Sequence, residues 1–157
     1  MKKLHIVLKS IFFIAATLLI LEFSPQMVYA SNVMVSEDPY TGQVLKVRVD
    51  GTNGTVIYFR SNADTFTIPA TIRGFQNTTI TITGIEREAF RNCINLRTLT
   101  IPDTVTSIGE NAFLSCSNLT TVNMPTRLNS LGKYAFGECR SLRSITIPNG
   151  ITVINDS

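Results

Sequence analysis

Three cysteines, Cys93, Cys116 and Cys139, stand 23 residues apart. Thiols can ligate a metal, pair as a disulfide or act as nucleophiles, and each use demands its own geometry. Structural zinc sites draw cysteines separated by only about two to four residues, which this spacing does not match. Stacked strands lie about 4.8 Å apart, inside the Cα range for a disulfide, but stacked side chains run parallel, whereas a bridge needs Cβ atoms converging to about 3.8 Å. Three thiols also cannot all pair. The expectation is a buried, reduced ladder in which cysteine packs as a small hydrophobe.

Other catalytic chemistry finds little footing. The single histidine is His5, in a segment expected to be removed, so proton transfer and nucleophile activation lose their usual base. Glu86 and Glu88 sit two apart on a predicted short helix, where they do not converge. No phosphate-loop or dinucleotide glycine pattern is present. The chain is therefore read as a non-enzyme, with no catalytic, cofactor-binding or metal-binding residues. Asn53-Gly54-Thr55, Asn77-Thr78-Thr79 and Asn118-Leu119-Thr120 would accept glycans in a eukaryote. The Lys2-Lys3 start and compact leader look bacterial, which leaves them unused.

That leader comprises a basic start, MKKLHIVLKS, an apolar run from Ile11 to Leu21, and the end Val28-Tyr29-Ala30. The run is short for a bilayer span. The three parts together are those of a secretory signal peptide, cleaved after Ala30; the alternative is an uncleaved anchor helix. Cleavage removes Lys2, Lys3, Lys9 and Glu22 and leaves the mature chain close to neutral. A nucleic-acid partner, which needs a clustered basic face, is not expected. Membrane contact is expected only through the signal peptide before cleavage.

The thiol spacing is one column of a larger pattern. Residues 85–107, 108–130 and 131–153 align without a gap, and a fourth unit begins at Ile154. Ile85, Ile108, Leu131 and Ile154 form one column. Phe90, Phe113 and Phe136 form another, each preceded by alanine. Leu96, Leu119 and Leu142 follow, then Leu99, Val122 and Ile145, then Ile101, Met124 and Ile147. Pro102, Pro125 and Pro148 recur, and Val105, Leu128 and Ile151 close the unit. In EREAFRNC the apolar residues lie three and four apart, which predicts a short helix or helical turn. In LRTLTIP, Leu99 and Ile101 alternate with Thr98 and Thr100 as in a strand, which proline ends.

One unit cannot fold alone. Its eight or so large apolar side chains each yield roughly 1.5–3 kcal/mol, against an ordering cost of about 1–2 kcal/mol per residue. Stacked units bury one another's faces, so the chain must be a solenoid.

The pattern A-F-x-x-C-x-x-L-x-x-L-x-I-P-x-x-V-x-x-I-G resembles the bacterial surface antigen A type (BspA-like) leucine-rich repeat. The resemblance is strong over residues 85–157. Thr65 to Ile85 looks like a degenerate first repeat with an insertion. It implies an α/β solenoid: a right-handed leucine-rich-repeat stack of 23-residue coils, each a short strand plus a short helical turn. It also implies secretion or surface attachment and a role in adhesion to host matrix proteins, cells or glycans.

The expected organisation is a signal peptide (1–30), an N-terminal lead-in and β-hairpin cap (31–64), a degenerate first repeat (65–84) and the repeats (85–157). VLKVRV and TVIYF around DGTNG read as the hairpin, capping the apolar end of the stack; residues 31–43 read as a flexible lead-in. The expected contact face is the outward strand positions Thr98, Thr100, Thr121, Asn123, Ser144 and Thr146, bordered by Arg97 and Arg143. Its expected partner is an extracellular protein or glycan. The competing readings are a truncated structural repeat with no ligand of its own, or an accessory domain of a secreted hydrolase. Because the sequence stops at Ser157, the third coil is expected to be uncapped, consistent with truncation or end-to-end self-association.

Overall fold

The computed structural model describes residues 26–30, 32–38, 41–151 and 153–154. Most of the expected signal peptide, residues 1–25, lies outside these. The strands are β1 (Gln26–Ala30), β2 (Val33–Glu37), β3 (Val44–Asp50), β4 (Asn53–Arg60), β5 (Thr65–Thr67), β6 (Thr71–Arg73), β7 (Thr79–Ile85), β8 (Thr98–Thr100), β9 (Ser107–Ile108), β10 (Thr121–Asn123), β11 (Ser130–Leu131) and β12 (Val153–Ile154). The larger sheet runs β1-β2-β3-β4-β7-β9-β11-β12, with β6 alongside β7, and the smaller runs β10-β8-β5. The coils contribute parallel strands to both sheets, and the apolar columns fill the space between.

The core follows the repeat. Phe90, Phe113, Leu96, Leu99, Leu119, Val105, Leu128 and Ile108 are essentially inaccessible. Phe90, Phe113 and Phe136 stack at 4.9 and 5.0 Å between ring centroids. Phe59, from hairpin strand β4, extends the column to 4.8 Å from Phe90, with Phe66 beside it at 4.1 Å. The hairpin therefore supplies the aromatic that an earlier coil would have supplied. It turns at Gly51-Thr52, where Gly51 takes a left-handed φ of 60° between the paired Asp50 and Asn53. β4 then joins the first coil by parallel pairing with β7. The stretch expected to be a flexible lead-in contains β2, which pairs with β3 and covers the hairpin's otherwise open edge, burying Met34.

The expected helical turn does not form. Among the described residues there is no α-helix, so the α/β description gives way to a β-solenoid of about three turns. Successive turns occupy EREAFRNC and its equivalents. Ala89, Cys93 and Leu96 each donate to a carbonyl three residues back, Glu86, Phe90 and Cys93. Glu88, Phe90 and Asn92 instead donate to the carbonyls of Glu110, Ala112 and Leu114 in the next coil. Asn111, Phe113 and Ser115 do the same to Lys133, Ala135 and Gly137. A helix would have consumed those N–H groups within the coil. Left-handed residues at Glu88 and Asn92, Asn111 and Ser115, and Tyr134 and Glu138 rotate the backbone so that alternate amides face the neighbouring coil. Apolar spacings of three and four occur in this run of turns as well as in a helix, so periodicity did not separate them.

The coils approach closely enough to exclude a side chain. A Cβ at Gly109 would lie 2.5 Å from the Arg87 nitrogen and 2.7 Å from the Glu86 carbonyl carbon, and at Gly132 it would strike Glu110 and Gly109. The clashing atoms are backbone, which cannot swing away.

The cysteines are free and buried, and each thiol is directed at the carbonyl of the preceding phenylalanine column: Cys93 to Phe59 (3.8 Å), Cys116 to Phe90 and Cys139 to Phe113 (both 3.2 Å). For Cys116, the neighbouring Cys139 thiol favours the thiolate, but the contact with Cys93 and burial outweigh it and push the group up to about 12. For Cys139, the contact with Cys116 and then burial raise it. Both are held as inert thiols at neutral pH.

Three outcomes are expected. Gly109→Ala or Gly132→Ala should each cost about 1–3 kcal/mol or more in urea unfolding, by wedging coils apart. Tyr134→Asn, which places a residue tolerant of the left-handed conformation there, should stabilise by about 0.5–1 kcal/mol in the same assay. A thiol raised on folding keeps a proton that the unfolded chain releases. Stability should therefore fall as pH rises from about 9 towards 12. Urea unfolding across that window should show a shallower fall for Cys116→Ala.

Candidate binding face

The small sheet presents one side to the core and one to solvent. In β5, β8 and β10 the central residues Phe66, Leu99 and Val122 point inward, while the flanking residues point outward. Parallel pairing places Thr65, Thr98 and Thr121 in one row and Thr67, Thr100 and Asn123 in a second. Thr98 and Thr100, on the central strand, are half-buried; the other four are exposed.

Lateral hydrogen bonds tie the rows together. The Asn123 amide donates to Thr100 Oγ1 at 3.1 Å. At one margin, Thr120 Oγ1 donates to the Arg97 carbonyl at 3.0 Å. At the other, the N–H and hydroxyl of Thr126 donate to Asp103 Oδ1 at 2.7 and 3.0 Å. These two bonds, backbone first, hold the Asp103 carboxyl below the usual carboxylate range, offset in part by burial. Each bond links residues 23 apart in sequence, so the repeat organises the polar surface as it organises the core.

Of the residues singled out from sequence, Thr98, Thr100, Thr121 and Asn123 come together as expected, with exposed Arg97 at the border. Ser144 and Thr146 do not join them. Residues 142–148 form no strand, and Arg143, Ser144 and Thr146 are exposed outside the ladder. Their inward neighbours explain this. Ile147 is 43% exposed where its counterpart Ile101 is 3%, so the segment has little burial to hold it in register. Thr65 and Thr67 take their place at the opposite side of the sheet. The signal for them was present in Thr65-Phe66-Thr67-Ile68-Pro69, which has the strand pattern of Thr98-Leu99-Thr100-Ile101-Pro102.

The face offers hydroxyl and amide groups but no charged side chain within its two rows. Such a surface suits hydrogen bonding to an extended chain or a sugar. Among the described residues, no group of three histidine, cysteine or acidic side chains could hold a metal ion.

Comparison with known proteins places this geometry. The model of the BspA type leucine-rich repeat region matches residues 60–157 in six copies. No curated protein matches the chain. Among solved structures, a leucine-rich repeat protein from Bacteroides capillosus is 23% identical with a TM-score of 0.65, over 83% of this chain and 88% of that one. The T. pallidum leucine-rich repeat protein is 22% identical with a TM-score of 0.62, over 82% of this chain and 53% of that one. A leucine-rich cell surface protein from Faecalibacterium prausnitzii is 27% identical with a TM-score of 0.61, over 83% of this chain and 33% of that one. The chain thus spans about half the length of the T. pallidum protein and a third of the F. prausnitzii one. With the family model covering more than half of its length and the repeat columns stacked as that pattern requires, the chain belongs to the BspA-type leucine-rich-repeat family.

Proposed function

We propose that the protein is a secreted or cell-surface binding module that holds an extracellular protein or glycan against the open face of its small sheet, in adhesion to host matrix, cells or glycans. The observation that carries this reading is the pair of rows Thr65-Thr98-Thr121 and Thr67-Thr100-Asn123. Six short polar side chains are held at strand spacing on a rigid backing, so they lose little freedom when a ligand engages them. Likeness to a protein described as a leucine-rich cell surface protein supports the extracellular placement. Among the described residues, no helix is long and apolar enough to cross a membrane.

The reading is tested by surface plasmon resonance of the chain over immobilised matrix proteins and a glycan panel. Thr100→Lys combined with Asn123→Lys should weaken the binding at least about tenfold. The same variant should lose no more than about 1 kcal/mol of stability, the worth of the Asn123–Thr100 hydrogen bond. Binding that survives the double substitution would move the contact face elsewhere. Failure to bind any of these surfaces would favour a purely structural repeat.

A further inference from the structure

The two sheets do not end together. The small sheet stops at β5, while the large sheet continues beyond the facing strand β4 through β3, β2 and β1. Next to β5 the inner side of β2 and β3 is already packed, with Leu45 and Val47 in one core cluster with Phe66, Ile72 against it, and Met34 buried. A groove of about 300 Å³ opens there, lined by Met34, Ser36, Leu45 and Val47 of β2 and β3, by Ile72 of β6 and by Thr67 of β5. No charged side chain lines it.

The backbone of β5 faces the same space. Asp64 accepts from Thr98, and Ile68 donates to Thr100, so even-numbered residues turn their backbone groups towards β8. By strand alternation the N–H and C=O of Thr65 and Thr67 point to the opposite edge. Among the described residues no strand pairs there. Within Thr65–Thr67 that edge has no lysine, proline or bulge; Pro69, which also lines the groove, ends the free edge just beyond.

We propose that this edge is an acceptor for one added strand: an extended, uncharged peptide segment of a partner protein, with apolar side chains at alternate positions. Its backbone pairs with Thr65 and Thr67 while its alternate side chains enter the mouth of the groove beside Ser36, Thr67 and Ile72. The molecule itself shows what such a neighbour looks like. The strand on the other side of β5 is Thr98-Leu99-Thr100, uncharged and alternating, with Leu99 wholly buried. The neutral lining matches an uncharged occupant. A whole coil of a second copy does not suit the space, because β3 and β2 already fill the layer its other strand would need. The seat uses the backbone edge of Thr65 and Thr67, whose side chains begin the two polar rows, but does not depend on the role of those rows.

The test is selection of displayed random peptides of about twelve residues on the full chain, followed by fluorescence anisotropy of the enriched peptides. They should carry alternating apolar residues. They should bind Thr67→Pro and Ser36→Arg about tenfold more weakly than the unaltered chain, and Thr100→Lys equally well. Proline at 67 removes an N–H that faces the open edge, so the ladder to β8 is kept and the circular dichroism spectrum should not change. If Thr67→Pro nevertheless unfolds the chain, Ser36→Arg decides, since that side chain only lines the groove. The proposal is overturned if no peptide is enriched, or if enriched peptides bind both variants undiminished. It is also overturned if binding is lost on Thr100→Lys instead, or if sedimentation shows a dimer of the unaltered chain that Ser36→Arg abolishes, which would give the seat to a second copy.

Discussion

The structure rests on backbone hydrogen bonds between coils, made by residues about one repeat apart. They run along both sheets, and along the turns where Glu88, Phe90 and Asn92 donate to the coil above. Because every side of the coil is bonded axially, the spacing between coils is set by peptide geometry, and side chains adapt to it. Glycine at 109 and 132 is one consequence, since the backbones there leave no room for a Cβ. The near-constant centroid separation in the phenylalanine column is another. A third is the thiol ladder, in which each cysteine reaches the carbonyl of the coil below.

The same constraint produces the polar face. Parallel in-register strands place equivalent residues side by side, so a threonine at one position of the repeat becomes a row. A lateral bond from Asn123 to Thr100 ties two strands within one row, and the bonds from Thr126 to Asp103 tie the same coils at its margin. A solenoid thus turns a short sequence pattern into an extended, stiff surface. Among the described residues the interior carries no buried charge, and Cys116 and Cys139 are held protonated.

The N-terminal region shows how one end of the stack is closed. β4 supplies Phe59 to the aromatic column and pairs with β7, and the antiparallel strands β3 and β2 extend the large sheet. The closure covers one sheet and leaves the edge of the other, at β5, beside an apolar groove. This asymmetry follows from building the cap out of a hairpin that continues only one of two layers.

The amino-acid sequence by itself determined the repeat length, the core columns, the strands Thr98–Thr100 and Thr121–Asn123 with their outward polar residues, and the hairpin around Gly51. These follow from local alternation and from recurrence at 23 residues, which any stacked arrangement must respect. Only the tertiary structure decided that the Ala-Phe-x-x-Cys segment is a run of turns. That choice depends on where its amides find acceptors, and the acceptors lie in the next coil, 22 residues away. Tertiary structure also decided the membership of the polar face. Thr65 and Thr67 enter because β5 pairs with β8, and Ser144 and Thr146 stay out because Ile147 beneath them is too little buried to hold the segment in register. Local pattern names the residues able to form a strand; burial and pairing across the stack select those that do.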